Sequence, residues 1–166
     1  PRPHHFSIDD IDWALLTGRR HTGFVSAPPD ICPCDTGRPY ETCCGPLHEG
    51  RRPAATAVAL MRSRYSAYAL GLRDYLLETW HPNTRPESID PEPGLRWTGL
   101  TIEHSGAGKA WDEEGMVAFS ATWEEGDQTG TMREVSSFLR VDGRWFYVNG
   151  IPHAAGHHIP EEHEKT

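Results

Sequence analysis

Thr131-Met132-Arg133-Glu134-Val135-Ser136-Ser137-Phe138-Leu139-Arg140-Val141-Asp142-Gly143-Arg144-Trp145-Phe146-Tyr147-Val148 is the stretch whose pattern decides the fold. Successive side chains of a strand point to opposite faces, so a period of two marks residues that share one face. Residues 131–141 alternate through Val135, Ser137, Leu139 and Val141, while Glu134, Ser136 and Arg140 alternate on the other face. Asp142-Gly143 signals a tight hairpin, because the favoured two-residue turn needs positive φ at both central positions. Arg144 to Val148 is then the returning strand, with Trp145 and Tyr147 on one side. Working back along the chain, residues 116–124 alternate through Val117, Phe119, Ala121 and Trp123. Residues 95–103 are rich in aromatic and β-branched side chains. Gly106 to Gly115 reads as the connecting turn or loop. The expectation is a four-stranded antiparallel meander.

Helices precede it. From Ala54 to about Leu70, Val58, Met61, Tyr65, Tyr68, Ala69 and Leu72 recur at helical spacing and form one apolar stripe. Gly71 is a natural stop. A second short helix is expected from Leu72 to Trp80, ended by His81-Pro82. Residues 83–94 read as a loop with room for one helical turn. Helices followed by a meander define an α+β domain, with the helices packed on one curved sheet. Residues 1–30 read as an extension holding a short amphipathic helix, Ser7 to Leu16, and broken by Pro28-Pro29. Residues 31–50 form a loop-rich module, 53–150 the main domain, and 151–166 a polar tail.

The chain has 166 residues, with 24 acidic against 16 basic and a formal charge of -8. A duplex binder needs a positive field to displace counterions, so nucleic-acid or ribosome contact ranks third. It would have to use Arg51, Arg52, Arg62 and Arg64, whose alternative role is a solvated or salt-bridged helix face. No apolar run approaches the roughly 18 to 20 residues that span a membrane. Pro1 to Asp10 has no apolar core, so it is not a secretory signal. A cytoplasmic location is expected.

All four cysteines fall between positions 32 and 44, in Cys32-Pro33-Cys34-Asp35-Thr36-Gly37-Arg38-Pro39-Tyr40-Glu41-Thr42-Cys43-Cys44-Gly45. A disulfide framework would spread them along the chain. Two close pairs instead supply two halves of a tetrahedron, the geometry that structural zinc takes with thiolates. One structural zinc on Cys32, Cys34, Cys43 and Cys44 is expected. His48 is the alternative fourth ligand in place of Cys43 or Cys44. A site closed by four thiolates has no open position for catalysis. His157, His158 and His163 in the tail are not expected to form a genuine metal site.

This stretch resembles the SEC-C motif, the zinc module at the carboxyl terminus of the SecA translocase, which reads Cys-Pro-Cys-Gly-Ser-Gly, then Tyr, then Cys-His or Cys-Cys and Gly. The Cys43-Cys44-Gly45-Pro46 ending followed by His48 is more similar to the YchJ family. So are the run Leu60 to Tyr68, the triplets Asp74-Tyr75-Leu76 and Thr79-Trp80-His81, and the end Asp142 to Gly150. The resemblance covers about residues 30–150. It implies a zinc module fused to a domain of the nuclear transport factor 2-like (cystatin-like) fold. In two places the chain departs from the family pattern. Asp35-Thr36 stands where Gly-Ser is usual, and Arg133-Glu134-Val135-Ser136-Ser137 stands for an acidic-basic strand.

Domains of that fold often leave a conical cavity. The polar groups expected around one here are Arg62, Arg64, Tyr68, His81, Trp97 and Glu134. In an enzyme reading, His81 is a general base oriented by Glu134. In the structural reading His81 caps a helix end and Arg62 and Arg64 anchor the zinc module. The leading functional expectation is a zinc-binding protein that docks a protein partner or binds a small ligand. In the resembled translocase the module contacts a chaperone, which implies a protein partner by analogy.

Overall fold

The expected hairpin closes on Asp142 and Gly143, at φ 50° and 77°, the two positive values its turn requires. The structure is a computed structural model that describes residues 27–90 and 92–152. The helix expected over Ser7–Leu16 and the tail from residue 153 onward, with His157, His158 and His163, lie outside the described residues. The elements run α1 (Gly45–His48), α2 (Ala57–Leu70), α3 (Arg73–Glu78), β1 (Leu95–Ala107), β2 (Glu114–Glu125), β3 (Gln128–Val141) and β4 (Arg144–Pro152). The strands pair antiparallel in the order β1-β2-β3-β4, as the alternation predicts. No helix among the described residues is long and apolar enough to cross a membrane.

The face of β3 that enters the core is not Val135, Ser137, Leu139 and Val141. Ser136 and Phe138 are 0% and 1% exposed, whereas Val141 is 42% exposed. The register explains the difference. The two-residue turn pairs Arg140 with Trp145 and Phe138 with Tyr147, and paired residues share a face. Trp145, 4% exposed, belongs in the core, so it carries the Phe138 face in with it. On β2 the expected inward residues Val117, Phe119 and Ala121 are buried.

Helix α2 lies across this sheet. The Thr56 hydroxyl accepts a hydrogen bond from the Ala59 amide at 3.0 Å, so the helix starts at Ala57 rather than Ala54. It ends on Gly71 in the left-handed conformation, with the Leu72 amide bonded back to the Ala67 carbonyl at 2.8 Å, a motif that satisfies the last carbonyls. Ala57, Leu60, Met61 and Tyr65 join the core with Leu100, Val117, Phe119 and Phe138. Of the expected stripe, Met61 and Tyr65 are buried but Tyr68 and Ala69 are exposed. The opposite side of α2 is buried too, at Ser63, Ser66 and Ala67, because the cysteine module and α3 cover it. A single-stripe reading misses a helix covered on two sides.

The start of α2 is seated tightly. The Ala57 amide donates to the Gly108 carbonyl at 2.9 Å. A Cβ on Gly108, at φ +79°, would come within 2.7 Å of the Ala57 Cβ, so the β1–β2 turn needs glycine there. After α3, residues 79–81 run beside β4. The His81 amide donates to the Tyr147 carbonyl at 2.7 Å and the Tyr147 amide to the Thr79 carbonyl at 2.9 Å. This covers part of a sheet edge that would otherwise expose unpaired backbone. Residues 83–90 and 92–94 make turns and irregular loop, and the Arg85 amide donates back to the His81 carbonyl at 2.9 Å, the bond of a single helical turn.

Candidate metal centre and cavity

The cysteine module is built by two tight turns. An antiparallel bridge pairs Ile31 with Pro39, and the Cys32 amide donates to the Arg38 carbonyl at 2.9 Å. Between them Asp35 and Gly37 take φ of 63° and 72°. Aspartate visits that region more readily than most residues. Its carboxylate also accepts from the Leu100 amide of β1 at 2.8 Å, so the departure from the usual Gly-Ser ties the module to the sheet. A 3-10 turn at Tyr40–Thr42 then leads into Cys43, Cys44 and α1. Pro46 at the head of α1 suits a first turn, where its missing N–H costs nothing.

These turns gather the four thiols. The sulfur atoms of Cys32, Cys34, Cys43 and Cys44 all lie within 4.8 Å of one another. Cys32, Cys34 and Cys44 are buried and Cys43 is half-buried. Donors sit close by: the Thr36 hydroxyl lies 3.3 Å from both the Cys34 and the Cys43 sulfur, and the Ser66 hydroxyl of α2 lies 3.4 Å from Cys32. Donation from Cys34 and then Cys44 pulls the Cys32 thiol far below its ordinary value. The same sharing pushes Cys34 and Cys44 up. Thiolates this close repel one another, and a cation among them relieves that repulsion. The cluster is therefore a set of residues that could hold a metal ion.

The alternative ligand His48 is elsewhere engaged. Its Nε2 lies 2.8 Å from the Ser63 carbonyl, which can only accept, so Nε2 carries the proton and donates. Its Nδ1 accepts from the Tyr40 hydroxyl at 2.8 Å. The ring also packs edge-on against Tyr75, centroids 4.6 Å apart. The Tyr75 hydroxyl donates to Ser63 Oγ at 2.7 Å, and the Ser63 hydroxyl in turn donates to the Leu60 carbonyl at 2.8 Å. Burial pushes Tyr75 up to about 12. His48 is thus a clamp between the module and α2.

Burial lowers the His48 pKa from 6.5, outweighing the bond to Ser63 and the negative charges of Cys32 and Glu49. The unfolded chain then binds a proton near pH 6.5 that the folded chain refuses. Stability from this residue is present above pH 6.5 and is lost as pH falls from 6.5 toward the lowered folded value. Melting temperatures from pH 7.5 to 5 should therefore fall more steeply for the natural chain than for His48→Gln. Parallel curves for the two proteins would refute the clamp's titration.

Arg62 and Arg64 have different roles. Arg62 Nη1 donates to the Cys34 carbonyl at 2.6 Å, which anchors the module as the structural reading expects. Arg64 is 2% exposed, and its Nη1 donates to the Leu76 carbonyl and to Thr79 Oγ1, each at 2.7 Å. Its guanidinium carbon lies 5.0 Å from the Trp80 ring and 4.5 Å from the Tyr147 ring, a placement that attracts a cation to the ring faces. With Arg51 paired to Glu49 at 2.6 Å and Arg64 buried, the four arginines do not form one exposed basic surface.

Between α2 and the concave side of the sheet lies a cavity of about 260 Å³, with Arg64, Tyr68, Trp97 and Glu134 among its lining residues. Those are four of the six residues expected to converge. Arg62 turns to the module. His81 lies outside as well: its ring packs against Phe146, centroids 6.1 Å apart, and its Nδ1 accepts the Asn83 amide at 3.2 Å. Phe146 alternates with the inward Trp145 and Tyr147, so His81 and Glu134 are on opposite sides of β4. Glu134 Oε1 accepts from Ser136 Oγ at 2.7 Å and from the Tyr147 hydroxyl at 3.4 Å. Tyr65, Phe119, Ala121, Met132, Ser136 and Tyr147 are also in the walls. Alternation would have found Met132 and Ser136 from Glu134, once the Phe138 face was known to point inward.

The fold and the site together define the class: a four-cysteine module seated on the helix of a domain that wraps an antiparallel sheet around it. The family description "YchJ, middle NTF2-like domain" matches residues 56–150, and the SEC-C motif matches residues 29–46. A UPF0225 protein of Chromobacterium violaceum is 52% identical over 124 residues, spanning 72% of this chain and 91% of that protein. One from Streptomyces coelicolor is 48% identical over 123 residues, spanning 74% and 96%. The chain belongs to the YchJ (UPF0225) family. Among solved structures, a SEC-C motif containing protein from Rhodopseudomonas palustris is similar at TM-score 0.66 and 34% identity, covering 75% of this chain and 99% of that one. Another from Psychrobacter arcticus is similar at TM-score 0.61 and 26% identity, covering 72% and 81%.

Proposed function

We propose that this protein binds a small molecule in the cavity between α2 and the sheet, and that its cysteine module carries one structural zinc ion. The donor set fits zinc. Zinc–thiolate bonds of about 2.3 Å place tetrahedral sulfurs about 3.8 Å apart, and the four sulfurs here all lie within 4.8 Å. Thiolates are soft ligands that do not suit magnesium or calcium. Cys32, Cys34, Cys43 and Cys44 fill every position of such a site, so zinc there supplies rigidity and no reactive centre.

The observation that carries the binding reading is the cavity itself. It has aromatic walls and a buried arginine held in place by the Leu76 carbonyl and Thr79. Small-molecule sites combine mostly apolar walls with a few placed polar groups. An acid–base pair of His81 and Glu134 lacks support, because the two flank β4 from opposite sides.

Native mass spectrometry of the full chain purified from its own cells tests both parts. The expected result is a mass increment of one zinc per chain together with a released small molecule. A chain that copurifies only with a protein partner and leaves the cavity free would favour the docking reading and overturn this one.

A further inference from the structure

The cavity holds one cation and one anion that do not neutralise each other directly. Arg64 uses only Nη1 on protein acceptors, although a guanidinium carries five donor hydrogens. Among the described residues, no carboxylate lies within ion-pair distance of it; the ion pairs are Arg51–Glu49, Arg96–Glu124 and Arg133–Glu103. Glu134, lining the same cavity, has its Oε1 occupied by Ser136 and Tyr147. Arg64 and Glu134 therefore line one half-open cavity, each with hydrogen-bonding capacity that these bonds leave unused.

We propose that the ligand is a small, net-neutral, flat heteroaromatic amide whose carbonyl oxygen accepts from Arg64 and whose N–H donates to Glu134. This rests on the small-molecule reading above and adds the chemical class.

Three features select that class. The first is charge. Arg64 and Glu134 already balance, so a net anion or cation would leave one buried charge uncompensated. A zwitterion would satisfy the sum, but it must shed the hydration of two full charges, which costs far more than desolvating an amide. The second is shape. Tyr65 and Trp97 meet edge-on with centroids 6.1 Å apart, and with Phe119 and Tyr147 they present ring surfaces that favour a flat guest. The third is size. About 260 Å³ is below the roughly 300 to 1,000 Å³ of common drug-sized sites, which suits a single ring with its substituents.

The test uses the full chain, metal-loaded as purified, with uracil and nicotinamide as probes. Benzoate and benzamidine serve as the anionic and cationic counterparts. Titrations followed by amide NMR shifts should give saturable binding of at least one amide, with a Kd at or below about 1 mM, and shifts at Ala121, Met132 and Ser136. Glu134→Gln keeps the shape of the side chain, and Arg64→Met removes the charge at similar length. Each should weaken amide binding by about tenfold or more, as loss of a charged hydrogen-bond partner does. If Arg64→Met fails to fold, Glu134→Gln alone decides, because its site is only half-buried. Tighter binding of benzoate or benzamidine in the cavity, or amide binding that Glu134→Gln leaves unchanged, would overturn the ligand class while leaving the binding reading intact. If none of the four probes binds, the amide class fails. A small molecule released from the native protein would then still uphold the cavity as a binding site, and its absence would sink both readings.

Discussion

Cys34→Ala is expected to strip the chain of its metal and to melt the module before the sheet. Cys34 is fully buried, and its sulfur lies 3.5 Å from Cys43. The second small cluster of buried residues is Cys32, Cys34, Tyr40 and Cys44, so most of what fills the module is its own thiols. Only a 3-10 turn and a four-residue helix give it regular structure. Segments this short bury too little apolar surface to hold themselves and rely on a metal staple. Binding energy at a structural zinc site is folding energy.

The natural chain should carry about one zinc, and Cys34→Ala less than about a tenth of that. The first melting transition should fall by about 10 to 20 °C, equivalent to losing several kcal/mol. A strong chelator on the natural chain should reproduce the shift. The core formed by Leu60, Tyr65, Phe119 and Phe138 is separate from the thiol cluster, so far-UV circular dichroism should retain the strand signal. Full metal content in Cys34→Ala would sink the assignment. Iron in place of zinc would overturn the metal's identity and leave the ligands standing.

The second large effect separates two neighbours on β3. Phe138→Ala should cost about 3 to 5 kcal/mol, the range for emptying a packed aromatic site. Leu139→Ala should cost about 1.5 kcal/mol or less, because Leu139 lies on the outer face and is only half-buried. Phe138 is 1% exposed and packs its ring against Tyr147, centroids 5.9 Å apart, so its loss reaches the cavity wall as well as the core. Urea unfolding of the two variants would measure both costs. Equal losses would contradict the inward face of β3. Inverted losses would restore the Val135, Leu139 and Val141 face that the apolar alternation suggests.

That comparison marks where sequence patterns stop carrying information. A period of two states that residues share a face and is silent on which face meets the core. Both faces of β3 hold large apolar groups, so hydrophobicity does not break the tie. The Asp142-Gly143 turn does, through the pairing of Phe138 with Tyr147 and Arg140 with Trp145. The same limit explains α2. Its stripe was legible at Met61 and Tyr65. The burial of Ser63 and Ser66 was not, because short polar residues become buried only when the module's Cys32 and His48 come to meet them.

The candidate sites divide in the same way. Four thiols within thirteen positions are close whatever the rest of the chain does, so the cluster could be read directly. His48 could not be resolved, since four residues after Cys44 it is near enough to ligate and also near enough to clamp α2. In the structure both of its ring nitrogens are engaged, one with Tyr40 and one with α2. Of the six residues expected around a cavity, the four that line it come from α2, β1 and β3, and the two that do not, Arg62 and His81, are each drawn away by a backbone group, the Cys34 carbonyl and the Asn83 amide.

By itself, then, the sequence determined what depends on near neighbours: the turn at Asp142-Gly143, the helix stop at Gly71, the order of helices before strands, and the gathering of cysteines between 32 and 44. Each follows from backbone preferences and spacing over a few residues. Only the tertiary structure decided which face of β3 is inside, that α2 is buried on two sides, that Arg62 serves the module while Arg64 serves the cavity, and that His81 stands apart from Glu134. Those outcomes depend on contacts between residues far apart in the chain, where the choice among chemically equivalent faces and partners is made by what packs against them.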